Sequence, residues 1–254
     1  MNKDSAEYYC GSRINADKEK LKENINSFAS HVKNKLSSVN DIVEKHNTYC
    51  AYTIILMGYS TGHRPVNDPF CFIEDIDLTG GFIAINDKVS SAANNSRIST
   101  INEGAKQQIE NYLNHIKALA DLAFENNHIK QAQKINSLME VKKASEQSIP
   151  LFFFIDSKFD AITITPTLLT SQISEIWPYE DNHNRHHIET NLSENTHRML
   201  IDVQLGHQQV QNHLLGANSS WSGFECLSEL SSQMNTIQNN LNWPCIEGVN
   251  SKKS

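Results

Sequence analysis

The feature that most constrains this chain is an apolar helical pattern that must stop abruptly. Residues 49–57 are almost continuously apolar, as expected for a helix that is buried on all sides. Gly62 then permits a bend of the backbone, and Pro65 cannot continue a helix. Arg64 lies between them, so a forked donor suited to phosphate or carboxylate oxygens follows the end of a buried helix. A surface arginine that caps the helix C-terminus is the alternative interpretation.

Length and composition indicate a soluble globular protein. The 254 residues suffice for one large domain or two small ones, and 39% are hydrophobic and 20% charged. No apolar run approaches the roughly 20 residues that a membrane-spanning helix needs. No apolar signal segment follows the first residues. We therefore expect a cytoplasmic protein without a membrane partner.

Cysteine usage and net charge give two further expectations. The five cysteines are widely spaced and none forms a Cys-x-x-Cys pair, which favours reduced thiols over a disulfide framework or a zinc site. The net charge is −7 with neutral histidines. Nucleic-acid-binding surfaces are usually basic, so this charge disfavours DNA binding without excluding a local basic groove.

Periodicity predicts a mainly α-helical chain with a small antiparallel β-sheet. Helical patterns occupy residues 15–36, 38–57, 103–126, 167–176, 185–192, 196–205 and 224–241. Short apolar runs at 70–76, 82–85 and 97–101, with a Gly-Gly turn at 79–81, predict three antiparallel strands.

Four polar residues fall at the boundaries of these predicted elements. Arg64 follows a helix, and Lys88 lies at the mouth of a hairpin. Arg185 begins a helix, and His207 follows the end of another. Two arginines can clamp the oxygens of a phosphodiester, a lysine can protonate a leaving alkoxide, and a histidine can transfer a proton. The set therefore favours phosphoryl transfer, although Lys88 is also interpretable as a solvated lysine and His207 as a helix-terminal histidine.

The order and spacing of these residues resemble the catalytic domain of the tyrosine recombinases, the phage-integrase family. The first-arginine motif of that family corresponds to Thr-Gly-His-Arg-Pro at 61–65. Its His-x-x-Arg-His box corresponds to Asn-His-Asn-Arg-His at 182–186, and its Leu-Gly-His box to residues 205–207. Lys88 falls where the hairpin lysine of the family falls. The resemblance covers roughly residues 40–225.

The resemblance implies a fold and a division of the chain. An integrase-like catalytic domain, α+β in class, is expected at residues 39–246. A lead-in helix at 1–38 would be a remnant of a core-binding domain, and residues 247–254 would be a disordered tail. Double-stranded DNA is the implied partner, together with a homo-oligomer or another recombinase chain. No cofactor and no metal are implied.

The resemblance also implies a role for each site residue. Arg64 and Arg185 would hold the scissile phosphate, with Asn182 in the place of the first histidine of the second box. Asparagine can donate a hydrogen bond to phosphate but cannot transfer protons. Lys88 would be the general acid for the leaving 5′ oxygen, and His207 would contact the phosphate or assist proton transfer.

The chain departs from the family at the nucleophile. The family tyrosine is expected about nine residues after His207, where Gly216 stands, and the last tyrosine of the chain is Tyr179. Ser219, Ser220 and Ser222 are candidate nucleophiles, but no base is visibly arranged for them. The expected function is therefore that of a DNA-binding protein concerned with DNA integration or site-specific recombination and impaired in strand cleavage.

Three other interpretations stay open. Arg185 can instead pair with Glu189, which lies one helical turn further on. The histidines of 183–187 can be zinc ligands with His207 or Asp181, although their spacing matches no recognised pattern. A non-catalytic helical protein that binds or regulates a partner, and does not bind DNA, is favoured by the acidic balance and the missing tyrosine.

Overall fold

The computed structural model of this chain confirms the predicted fold class at the level of secondary structure. It describes residues 12–38, 40–62, 75–85, 97–140, 149–179, 183–205 and 223–249. Within these ranges the protein is mostly helical and contains a small antiparallel sheet. None of the helices described there has the length and apolarity to cross a membrane.

The described elements follow the predicted order. The helices are α1 (Ser12–Ser38), α2 (Ile42–Thr61), α3 (Glu103–Glu125), α4 (Ile129–Ser137), α5 (Pro166–Ile173), α6 (His183–Ser193), α7 (Arg198–Gln204) and α8 (Gly223–Leu241). The strands are β1 (Ile76–Asp77), β2 (Phe82–Ile85), β3 (Arg97–Thr100), β4 (Phe154–Ile155) and β5 (Ala161–Ile162). One sheet has the order β1-β2-β3, and β4 pairs with β5.

Helix α2 is the central element of the core. Asp41 is its N-cap and accepts a hydrogen bond from the N–H of Val43, at 2.9 Å. From His46 onward nearly every residue is buried. Gly62 ends the helix in the left-handed region, with φ 69°, and its N–H donates to the carbonyl of Gly58. The predicted buried character of this helix and its stop at Gly62 are confirmed.

Helix α1 is part of this core and does not stand apart from it. Leu21, Ile25, Phe28 and Val32 lie at the predicted helical spacing and are at most 1% exposed. The ring of Phe28 contacts that of Tyr52 on α2, with 5.1 Å between centroids. The segment predicted as a lead-in helix is therefore packed into the main core, which comprises the apolar faces of α1 to α5 and of the strands.

The three-stranded sheet has the predicted hairpin. The N–H of Gly81 donates to the carbonyl of Asp77, and the side chain of Asp77 accepts from the N–H of Gly80. Gly81 has φ 73°, a conformation that favours glycine. Ile83 is buried on the core face, whereas Ile98 on the opposite face is 56% exposed. The alternation of burial matches a sheet that covers the core on one side.

A second, smaller cluster joins α6, α7 and α8. We call it the second cluster, and its buried members are Ile188, Leu192, Ile201, Leu205, Met234 and Ile237. It is distinct from the main core. Because α6 also packs on α2, the second cluster lies beside the C-terminal end of the central helix.

Helix boundaries differ from the sequence predictions by up to four residues, for example in α2, which is predicted at 38–57 and observed at Ile42–Thr61. Thr165 caps α5 and Pro166 is its first residue, but the helix ends at Ile173 and continues as a turn to residue 176. Residues 247–249, placed by the sequence in a disordered tail, lie against α3, where the N–H of Val249 donates to a ring nitrogen of His115 at 3.0 Å.

Candidate functional site

The structure describes one of the predicted site residues. Arg185 lies on α6, within the described ranges. Arg64, Lys88, Asn182 and His207 lie outside the described residues, so their roles stay predictions.

Arg185 is buried and joins the ends of two other helices. Its side chain is only 5% exposed. Nη1 donates to the carbonyl of Gly62 at 3.2 Å, and Nη2 donates to the carbonyl of Leu205 at 2.7 Å. Gly62 is the C-cap of α2, and Leu205 directly follows α7. A cation near two helix C-termini also interacts favourably with both helix dipoles.

This arrangement brings together the described parts of all three sequence boxes. Gly62 belongs to the first-arginine motif, two residues before Arg64. Leu205 begins the Leu-Gly-His box, two residues before His207. Arg185, from the second box, donates to a carbonyl of each. Segments more than 120 residues apart along the chain therefore meet at one guanidinium group.

The packing at Gly62 leaves little room for a side chain. A Cβ atom there would lie 3.1 Å from Cδ2 of Leu205 and 3.4 Å from Cδ1 of Ile188. The positive φ of Gly62 adds backbone strain for any other residue. Glycine thus suits both the turn and the close approach of Leu205 to the end of α2.

A buried amide network fixes the same helix end from two further elements. Gln204 is 1% exposed, and its Nε2 donates to the carbonyl of Thr61 at 3.2 Å and to Oγ of Ser99 at 2.5 Å. Gln238 on α8 donates to the carbonyl of Ser60 and accepts from a backbone N–H at the start of α3. The last turn of α2 is therefore held by α6, α7, α8 and β3.

Sequence reasoning missed this network, although one signal was present. Gln204 directly precedes the Leu-Gly-His box, between the apolar positions 200–201 and 205 of a short helix. A polar side chain among apolar positions is expected to be buried with a partner. Nothing in the sequence shows that its partners are Thr61 and Ser99.

Asn184, the neighbour of Arg185, binds α2 one turn earlier. Its Nδ2 donates to the carbonyl of Gly58 at 2.9 Å. A Cβ atom at Gly58 would lie 2.9 Å from that same Nδ2, so the absence of a side chain permits the approach of α6. The box therefore contributes two buried polar side chains that tie α6 to α2.

The histidines around Arg185 face in different directions. The hydroxyl of Tyr59 lies 2.5 Å from Nδ1 of His183, and the ring of His187 also contacts Tyr59. Burial, together with the nearby His183, lowers the pKa of His187 to about 4. His186 is exposed. In the described part of the chain, no three His, Cys, Asp or Glu side chains are grouped to hold a metal ion.

The described contacts of Arg185 and Glu189 are not the Arg185–Glu189 ion pair considered from the sequence. Glu189 pairs with Arg198, with Oε1 2.9 Å from Nη1. Arg198 also pairs with Asp202 at 3.1 Å. These are exposed arginine contacts, whereas the described contacts of Arg185 are buried and go to backbone carbonyls.

Four of the described tyrosines are buried and are poor candidates for a nucleophile. Tyr49, Tyr52, Tyr59 and Tyr112 are buried. Burial raises the pKa of each phenol above its ordinary value, so each stays protonated and is a weak nucleophile. The hydroxyl of Tyr179 accepts a hydrogen bond from Asn24 on α1.

Comparison with known proteins adds no relative: no protein-family model, no curated protein and no solved structure matches this chain.

Proposed function

We propose that this chain is a DNA-binding protein with an integrase-like catalytic fold, concerned with DNA integration or site-specific recombination and impaired in strand cleavage. The observation that carries the proposal is the pair of hydrogen bonds from Arg185 to the carbonyls of Gly62 and Leu205. Gly62 belongs to the first-arginine box, two residues before Arg64 in the sequence, and Leu205 to the Leu-Gly-His box, two residues before His207.

The chemistry of the proposed site is phosphate recognition. Arg64 would supply the bidentate contact to a DNA phosphate, and Arg185 would add positive charge from its buried position. Asn182 would donate to the same phosphate. Lys88 and His207 would retain the general-acid and proton-transfer roles that the resemblance implies.

We expect impaired cleavage because the tyrosine nucleophile of the family is missing. No tyrosine follows His207 in the sequence. The buried phenols of α2 and α3 are held protonated by burial. A suicide DNA substrate, which traps a covalent protein–DNA adduct, is expected to give no adduct with this chain. A stable adduct would contradict this part of the proposal and would identify the nucleophile by mapping.

The DNA-binding part is tested by the salt dependence of affinity. We expect Arg64→Ala to weaken binding to a short duplex and to reduce the slope of log K against log salt by about 1. Arg198→Ala is the matched control, because it removes the same charge from an exposed side chain. Equal slopes for wild type, Arg64→Ala and Arg198→Ala would overturn the phosphate assignment.

One observation favours a second candidate function, that of a helical interaction or regulatory protein that does not bind DNA. Arg185 is 5% exposed and its guanidinium donates to backbone carbonyls, and the chain carries a net charge of −7. A cation used in this way stabilises a fold without any ligand. The same titration separates the two candidates, since no binding, or binding without salt dependence, would support the second.

A further inference from the structure

The last described segment of the chain lies across α2 and α3. We call residues 243–249 the C-terminal strap; it contains no helix or strand. Its backbone is bound by side chains of both helices. The carbonyl of Ile246 accepts from the hydroxyl of Tyr49 at 2.7 Å and from Nδ2 of Asn111 at 3.2 Å. The N–H of Ile246 donates to Oε1 of Gln108 at 2.8 Å.

The end of the strap rests on a buried histidine. The N–H of Val249 donates to Nδ1 of His115 at 3.0 Å. A Cβ atom at Gly248 would lie 2.4 Å from Cβ of His115, so only glycine allows the strap to come this close. His115 itself is fully buried.

His115 belongs to a chain of hydrogen bonds whose direction is fixed at both ends. Nε2 of His46 lies 2.8 Å from the carbonyl of Phe153, and Nδ1 of His46 lies 3.0 Å from Nε2 of His115. A carbonyl only accepts and a backbone N–H only donates. Each imidazole is therefore neutral with its proton on Nε2, and the tautomers follow from the hydrogen bonds. Val249 donates to His115, His115 to His46, and His46 to Phe153.

Adding one proton to the His46–His115 pair places two N–H donors opposite each other at Val249. If His115 takes the proton, its Nδ1 carries an N–H that faces the N–H of Val249. If His46 takes it, Nδ1 of His46 must donate to His115, which then needs Nε2 as an acceptor and moves its own proton to Nδ1. Both arrangements oppose two donors at Val249, whereas the bond to Phe153 is unaffected.

We propose that the His46–His115 pair is a pH-sensitive latch for the C-terminal strap, which releases the strap end at Val249 when the pair gains a single proton.

The surroundings of the pair leave the added charge without a compensating group. Among the described residues, the titratable groups that face it are Tyr49 from α2, whose ring centroid lies 4.8 Å from that of His115, and Tyr112 from α3. Burial raises the pKa of both phenols, so neither becomes an anion. Glu247 on the strap is exposed.

The latch is closed at neutral pH. Burial lowers the pKa of His46 to about 4, and burial with the neighbouring His46 lowers the pKa of His115 well below 6.5. Release is therefore expected progressively as the pH falls from 6.5, the ordinary histidine value, towards 4.

Hydrogen exchange on the full chain tests the latch. Protection factors, corrected for the intrinsic effect of pH, are measured for the amides of Ile246 and Val249 from about pH 7.5 to about pH 4.5. We expect protection of both amides to fall by at least about tenfold. Amides in the middle of α3 should keep their protection, which separates local release from global unfolding. Constant protection of the strap across this range would overturn the proposal.

Two variants locate the effect. His115→Asn retains an oxygen that accepts from Val249 but cannot be protonated, so strap protection should become independent of pH. Val249→Pro removes the opposing donor and leaves the histidines intact, so protection of Ile246 should also lose its pH dependence. Val249→Ala keeps the N–H and should behave as wild type. If the pH-dependent loss persists in Val249→Pro, the latch is wrong whether or not His115→Asn folds.

Discussion

The main core and the region beside the second cluster each bury polar side chains, but the hydrogen-bonding needs of these side chains are met in different ways. In the main core, His46 and His115 are neutral, and each described donor of the pair meets an acceptor. Beside the second cluster, Arg185 brings a permanent positive charge to the carbonyls at two helix ends. The hydrogen bonds through the neutral His46 and His115 leave no place for an extra proton. The guanidinium of Arg185, in contrast, needs its carbonyl partners at every pH.

The comparison teaches where each region is vulnerable. The hydrogen bonds through His46 and His115 are disrupted when the pair takes up a proton. The arginine bridge fails when a mutation removes the guanidinium, because the helix-end carbonyls then lose a charged donor.

The largest expected effect is from Arg185→Met. Two hydrogen bonds from a charged donor contribute about 1.5–3 kcal/mol each, so we expect a loss of about 4 kcal/mol in the free energy of unfolding, measured by urea denaturation. The loss should be the same at pH 8 and at pH 6. Arg198→Met, at an exposed arginine, is the control and should leave stability unchanged. A loss no larger than that of the control would mean that the carbonyls of Gly62 and Leu205 do not depend on Arg185.

Next in size is the pH dependence that His46 contributes. Its pKa is lowered from 6.5 to about 4 in the folded state. The unfolded chain therefore takes up the proton first, and stability is fully present above pH 6.5 and is lost as the pH falls towards 4. The loss is on the order of 3 kcal/mol, since one pKa unit corresponds to about 1.4 kcal/mol.

The variant His46→Gln isolates this contribution. Glutamine can accept from His115 and donate to Phe153 without titrating. His31 and His187, whose pKa values are also lowered, remain in both proteins. Urea denaturation between pH 7.5 and pH 4.5 should show a shallower decline for the variant. Parallel curves would show that His46 does not govern the acid sensitivity of the main core.

A smaller effect is expected from Gly62→Ala. The positive φ of Gly62 and the 3.1 Å approach of Leu205 should together cost about 2 kcal/mol in stability. Gly104→Ala is the control, because a Cβ atom there meets only Asn102 at ordinary contact distances and alanine favours the helix. Equal melting temperatures for Gly62→Ala and Gly104→Ala would show that the approach of Leu205 to Gly62 does not limit what this position accepts.

The smallest effect is expected from Ser99→Ala. The hydroxyl of Ser99 accepts from Gln204 at 2.5 Å, so its removal leaves one buried amide hydrogen with a lost partner. We expect a loss of about 1 kcal/mol in the free energy of unfolding. Ser37→Ala, at an exposed serine, should have almost no effect and serves as the control. An effect of Ser99→Ala as large as that of Arg185→Met would mean that the amide network, rather than the arginine, holds the end of α2.

The sequence predicted the local parts of both regions. The stop of α2, the turn before β2 and the buried face of α1 all follow from spacing or backbone chemistry that acts within a few residues. Cys50 and Cys245 are free thiols, as their spacing indicated.

The pairing of buried polar groups could not be predicted in the same way. His46 and His115 are 69 residues apart, and Arg185 and Gly62 are 123 residues apart. Periodicity shows which face of a helix is buried, but the partner of a buried polar side chain depends on how distant elements pack. The sequence assigned Arg185 to phosphate, whereas its described contacts are to the backbone.

The packing of α1 decides how this protein can be divided. A fragment beginning at residue 39, the boundary suggested by the sequence, would lose Phe28 from its place between Tyr52 and Trp177. Those rings would then face water along a groove left by the missing helix. The truncated protein is therefore expected to aggregate. Truncations from the amino terminus should retain Leu21 and the residues that follow it.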